Sequence, residues 1–154
     1  MEIERKYLVT SDSYKQMAVA RYHICQGYIS REKTGTIRIR ITDDKAYLTI
    51  KGKPAVGHFA RYEWEKEIDV EDAKQLIQMC LNPIEKTRWL IPAEVEKISD
   101  ESTSAVWEVD EFHGKHDGLV VAEIELENEE QVVELPAFVG KEVTDDPRYY
   151  NANM

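Results

Sequence analysis

The sequence predicts a mainly β protein of the α+β class, a closed eight-stranded antiparallel β-barrel with a few helices packed outside. Three observations predict it. Strand-like segments dominate the 154 residues, short turns join them, and charged residues recur at every second position, mostly with one sign per strand.

The first strand, about 2–9, puts Glu2, Glu4 and Lys6 on one face, with Ile3 and Val9 pointing the other way. Ser11-Asp12 then offers an N-cap for a short helix over 12–18. A second strand covers about 21–30. Strands over 35–43 and 45–52 flank Asp43-Asp44, where a tight connection is expected, as it is at Gly35. In the former, Arg38 and Arg40 share a face and Ile37, Ile39 and Ile41 share the other. In the latter, Lys51 sits with Thr49 while Leu48 and Ile50 oppose them. The strand over 59–70 sets Glu63, Glu65 and Glu67 against Trp64 and Ile68. Asp69 or Glu71 opens a helix over 71–80, with Leu76, Ile77 and Cys80 on its apolar side. Lys86 and Arg88 repeat the pattern in a strand over 84–92. Glu108 and Asp110 flank Val109 within 105–113, and Glu123, Glu125 and Glu127 oppose Ile124 and Leu126 within 119–128. The tail 146–153 reads as a last short helix.

Solvated strand faces usually mix signs to limit repulsion between neighbours. Here most strands carry like charges at adjacent positions of one face, some all basic and some all acidic. Such rows are costly unless an opposite row faces them or a ligand fills the space between. A closed barrel supplies both conditions, with basic walls facing acidic ones across a polar tunnel. The apolar faces then point outward and need cover from helices or from a second copy of the chain, so a homodimer is one possible arrangement.

Length and composition fit one domain spanning 1–154. Hydrophobic residues at 42% beside 32% charged argue for a folded globular chain rather than disorder. The apolar runs are too short to span a bilayer and the charged N-terminus does not read as a secretory signal, which points to a cytoplasmic protein without membrane association. No repeat or low-complexity tract is visible. Cys25 and Cys80 have no metal-ligand spacing and read as reduced, buried thiols. A formal net charge of −10 argues against a nucleic-acid surface.

The basic set is Lys6, Arg38, Arg40, Lys51, Lys86 and Arg88. Arginine forks grip phosphate oxygens bidentately and lysines add compact charges, so a convergent set suits several phosphates in a row. The acidic set is Glu2, Glu4, Glu63, Glu65, Glu108, Asp110, Glu123 and Glu125, with Glu67 and Glu127 at its margin. Carboxylates alone would repel a polyphosphate. With Mg2+ or Mn2+ they make sense, because these ions take oxygen ligands from carboxylates, water and substrate phosphates together. His113 and His116 read as loop histidines, and no zinc spacing, phosphate loop, dinucleotide fingerprint or nucleophile elbow is present.

Glu2-Ile3-Glu4-Arg5-Lys6 resembles the N-terminal E-x-E-x-K signature of the CYTH superfamily, the triphosphate tunnel metalloenzymes. The likeness runs through Arg38-Ile39-Arg40, Lys51-Gly52, Glu63 and Glu65, Lys86-x-Arg88, Glu108-x-Asp110, Glu123-x-Glu125 and the ending Thr144 to Asn151. The resemblance implies an eight-stranded antiparallel tunnel that binds a small triphosphate substrate with a divalent metal. On it, Lys6, Arg38, Arg40, Lys51, Lys86 and Arg88 hold the phosphates, while Glu2, Glu4, Glu123 and Glu125 coordinate the metal. Glu63, Glu65, Glu108 and Asp110 form the catalytic set that orients the basic residues, helps a second metal or positions water. The leading function is hydrolysis of tripolyphosphate to pyrophosphate and phosphate. A class IV-like adenylyl cyclase and a nucleoside or thiamine triphosphatase are alternatives on the same fold. A non-catalytic polyphosphate binder ranks last, because the glutamates are intact.

Overall fold

A computed structural model of the chain describes residues 3–32, 35–52, 62–95, 105–127 and 130–154. The elements run β1 (Ile3–Val9), α1 (Tyr14–Met17), β2 (Ala20–Glu32), β3 (Gly35–Thr42), β4 (Lys45–Gly52), β5 (Glu63–Ile68) and α2 (Val70–Gln78). They continue with β6 (Leu81–Pro92), β7 (Val106–Phe112), β8 (Val120–Leu126) and β9 (Val139–Glu142). Short 3-10 turns lie at Gly114–His116, Pro147–Tyr149 and Asn151–Asn153. No described helix is long and apolar enough to cross a membrane.

The protein is mainly β, as the alternation predicts. The strands hydrogen-bond in the order β5-β4-β3-β2-β6-β7-β8-β1-β9. That order has two ends, so the sheet is not closed among the described residues, and its strands number nine rather than the eight expected. The additional strand, β9, is Val-Gly-Lys-Glu, too short and glycine-broken to show a period of two. The first helix is also shorter than 12–18 and is preceded by Ser13, which makes no side-chain cap bond. The expected C-terminal helix is two 3-10 turns. Residues 59–61 of the expected fifth strand lie outside the described residues.

The chain divides into two compact units, one of residues up to Tyr22 with Thr87–Tyr149, the other of His23–Lys86 with Tyr150–Met154. In the first unit β1 pairs antiparallel with β8, β8 with β7, and β9 with the other edge of β1. Tyr7 and Val9 of β1 and the apolar positions of β7 and β8 form its core. Tyr7, Trp107, Val109, Ala122, Ile124 and Leu126 are buried there together with Tyr14 of α1 and Phe138. Tyr7 meets Trp107 edge to face at 5.6 Å, and Tyr14 meets Phe138 at 5.9 Å. The short helix therefore covers the apolar face, and Glu111 ties it down by accepting from Trp89 Nε1 and pairing with Lys15 at 3.4 Å.

In the second unit β2 to β5 form an antiparallel meander. The two-residue turn Asp43-Asp44 joins Thr42 to Lys45, with Asp43 in the left-handed region at φ 52° and its Oδ1 accepting from His23 N at 2.9 Å. Asp69 caps α2 by accepting from Glu71 N and Asp72 N, and those two acids favour the positive end of the helix dipole. Ala73 and Ile77 then bury against Ile39 and Ala46, with Leu48, Ile68 and Leu76 alongside. Gly27 makes this approach possible, because a Cβ there would lie 2.6 Å from Cys80 Cβ. Gly27→Ala should destabilise the fold by about 1–3 kcal/mol through overpacking, read as a lower urea midpoint at unchanged slope. Cys80 is buried and Cys25 half-buried, both free thiols whose pKa burial pushes upward.

Candidate active site

Cross-strand register places the charged residues of the second unit in rows. Gln26, Arg40, Tyr47 and Glu67 lie directly opposite one another across β2, β3, β4 and β5. Tyr28, Arg38, Thr49 and Glu65 make the next row, and Thr36, Lys51 and Glu63 the one beyond. Each row carries a cation and a carboxylate on the face opposite Ile39, Ile41 and Leu48. The expected set Arg38, Arg40, Lys51, Glu63 and Glu65 is thus brought onto one face. Arg40 Nε donates to Gln26 Oε1 at 2.8 Å, and Arg38 Nη2 donates to Thr49 Oγ1 at 3.4 Å. Arg38 Nε is buried and has no hydrogen-bond partner among the described residues, a donor that an oxyanion would satisfy. Lys86, fully buried at the end of this unit's part of β6, donates from Nζ to Asn151 Oδ1 at 3.1 Å.

The first unit presents carboxylates instead. Glu108 stands directly opposite Glu123, which in turn stands opposite Lys6, and Glu125 stands opposite Glu4. Lys6 is buried, donates from Nζ to the Tyr149 carbonyl at 2.8 Å and lies 3.5 Å from Glu123. Arg88 is clamped by acids on both edges. Its Nε and Nη2 donate to Asp110 at 2.8 and 3.0 Å, and Nη1 is 2.9 Å from Glu108. Burial alone would lower its pKa, but Asp110, Glu108 and Glu123 outweigh that and hold it firmly cationic.

Like charges placed opposite each other destabilise a strand pair. Glu4 shows the effect: its pKa is pushed up to about 8 by a carboxyl–carboxylate hydrogen bond with Glu123, by burial and by the Glu123 and Glu125 charges, with Lys6 opposing. The shared proton neutralises a spot where oxygen donors crowd, which is what a hard cation would also do. Among the described residues no three acidic, histidine or cysteine side chains converge into a complete metal site. Glu2 of the expected metal set lies outside the described residues. This donor set fits an ion that takes one or two carboxylates and completes its shell with water and substrate oxygens. His113 precedes and His116 ends a 3-10 turn, and His113 Nε2 hydrogen-bonds Thr87 Oγ1 at 2.7 Å.

The model of the CYTH domain matches residues 1–150. The chain belongs to the CYTH family. A protein of Acetivibrio thermocellus named inorganic triphosphatase is 42% identical over 155 residues, covering 99% of this chain and 92% of that one. A protein of Nitrosomonas europaea of the same name is 30% identical over 154 residues, covering 97% and 93%. The crystal structure of the inorganic triphosphatase NE1496 superposes with a TM-score of 0.70 at 29% identity, covering 98% of this chain and 94% of that one.

In this CYTH chain the acceptors that hold the cations escaped the sequence reading. Gln26, Thr49 and the Tyr149 carbonyl carry no charge, so a search for like-charge rows passes over them. The Asn151 side chain bonds to a lysine 65 residues away, beyond the reach of any local pattern.

Proposed function

We propose that this CYTH protein is a cytoplasmic, divalent-metal-dependent triphosphatase that cleaves inorganic tripolyphosphate to pyrophosphate and phosphate. The observation that carries the reading is the 42% identity, over 99% of the chain, to a relative named inorganic triphosphatase. The site chemistry supports it. The substrate is a small anion rather than nucleic acid or a lipid surface, and the whole chain acts as a single tunnel domain closed around it.

On this reading Lys6, Arg38, Arg40, Lys51, Lys86 and Arg88 bind and orient the phosphates, with the arginines supplying planar forks. Asp110 and Glu108 fix Arg88, the geometry described above, and so act as positioning residues. Glu63 and Glu65, in the rows of Lys51 and Arg38, hold those cations or the attacking water in line. Glu2, Glu4, Glu123 and Glu125 would supply the carboxylates for Mg2+ or Mn2+, one or two at a time beside water and substrate oxygens. The chemistry such a metal would supply there is polarisation of a phosphoryl oxygen and activation of water. Water adds to a terminal phosphorus, the bridging P–O bond breaks, and pyrophosphate leaves with its charge stabilised by the basic residues.

Purified protein given tripolyphosphate and either metal should release phosphate and pyrophosphate in equal amounts. No release above background would end this reading. With ATP, cyclic AMP plus pyrophosphate would instead identify a cyclase, and ADP plus phosphate a nucleotide triphosphatase.

The shared proton adds a pH dependence. A carboxyl raised to about 8 is protonated at neutral pH, so metal binding must release that proton. Without metal, the stability gained from this proton is fully present below the ordinary carboxyl range and is lost as pH rises through about 8. Metal affinity should therefore climb with pH, by up to about tenfold per unit, and level off above about 8. Calorimetric titration of Mn2+ in buffers of different ionisation enthalpy counts the released proton directly. Glu4→Gln should flatten the profile, and a wild-type affinity flat from about pH 6 to about pH 8 would remove the shared proton from the account.

A further inference from the structure

We propose that Gln26 is a positioning residue for the phosphate-binding cations, aiming the Arg40 guanidinium at the substrate without adding a charge of its own. This rests on the triphosphatase reading. Gln26 is only 1% exposed, although strand interiors rarely hold an uncharged amide without use for it. It stands directly opposite Arg40, and the backbone register around it is regular from Ile24 to Tyr28, the irregularity of this strand pair falling beyond Tyr28. Its Oε1 accepts from Arg40 Nε at 2.8 Å.

The choice of atom matters. A guanidinium held at Nε has its plane fixed, and the fork of its two terminal nitrogens then points along the side-chain axis. The bond at Nε helps to aim the fork that grips phosphate bidentately. Arg88 shows the other solution: Asp110 takes Nε and Nη2 and Glu108 takes Nη1, so carboxylates engage both of its edges. A carboxamide holds its arginine as an acceptor just as a carboxylate would, but leaves the local charge unchanged. Glutamate and glutamine are nearly isosteric, so the neutral choice at position 26 is a choice about charge. Next to a substrate with several negative charges, an extra buried carboxylate would oppose binding.

The test is a double-mutant cycle with Arg40→Ala, combined with Gln26→Glu and, separately, Gln26→Met. Tripolyphosphate affinity is read by calorimetry without metal, and steady-state kinetics are read with metal. Gln26→Glu should keep the melting temperature but weaken tripolyphosphate binding about tenfold or more. Gln26→Met should lower kcat/KM by about tenfold through loss of orientation. In the Arg40→Ala background both effects should shrink to within about twofold, because the residue to be positioned is gone. A merely structural glutamine would lower stability and leave affinity unchanged in both backgrounds. Should Gln26→Glu fail to fold, the Gln26→Met arm of the cycle decides alone. Wild-type turnover with variant affinities within twofold of wild type overturns the role of Gln26 and leaves the triphosphatase reading standing. Absence of wild-type turnover overturns that reading, and the role of Gln26 falls with it.

Discussion

Lys86→Met should lower kcat/KM for tripolyphosphate by about 2–4 kcal/mol in transition-state stabilisation, roughly 30- to 1,000-fold. Lys86 is fully buried, and its ammonium is held by Asn151 Oδ1 at 3.1 Å. A buried ammonium costs desolvation, which a site bears when an anionic ligand is to meet it. Methionine preserves the stem and its packing while removing the charge, so the fold should survive with a melting temperature near that of wild type. Steady-state kinetics beside thermal unfolding separate the two effects. A variant that turns over within threefold of wild type would take Lys86 out of the phosphate-binding set.

The largest effect on stability is expected at Trp107. The side chain is fully buried, in edge-to-face contact with Tyr7 at 5.6 Å and with Phe138 at 6.4 Å. Trp107→Ala should cost about 3–5 kcal/mol, from lost transfer energy plus the cavity left behind. Trp107→Phe should cost much less than its lost volume alone implies. Among the described residues the indole Nε1 is buried without a hydrogen-bond partner, and so is the Tyr7 hydroxyl, so replacing the indole also removes an unsatisfied donor. Urea unfolding of the three proteins tests this. A loss for Trp107→Phe of about 3 kcal/mol or more, the range of a large core truncation, would mean that the unpartnered donor carries no cost.

Much of the charged site was legible because a strand repeats every two residues. Arg38 with Arg40, Glu63 with Glu65, and Glu108 with Asp110 each share a face for that reason alone, and they do so in the structure. What period cannot give is register. That Lys51 lies opposite Glu63 while Glu108 lies opposite Glu123 depends on how the strands slide past one another, a property of turns and long-range packing. The same limit hid the neutral acceptors, whose meaning comes only from the cation across the strand. Sheet closure was likewise not readable. Alternation shows that a strand has two faces, but the edges that pair depend on pieces such as β9, whose four residues carry almost no pattern. The helix α2 was easier, since Asp69 marks its start and Leu76 and Ile77 its apolar face, although Cys80, expected on that face, lies past its end at Gln78.

The glutamate row of β5 has one more consequence, for how copies of the protein behave in a crowded solution. Among the described residues β5 ends the hydrogen-bonded order, and an end strand offers unpaired backbone groups to any other strand it meets. Glu63, Glu65 and Glu67 are all exposed along it. Two such edges brought together antiparallel would set one row of carboxylates against another, and the repulsion would resist their zipping up. These carboxylates would thus act as a guard against aggregation. Neutralising the row should make the protein less soluble even where its fold is unchanged.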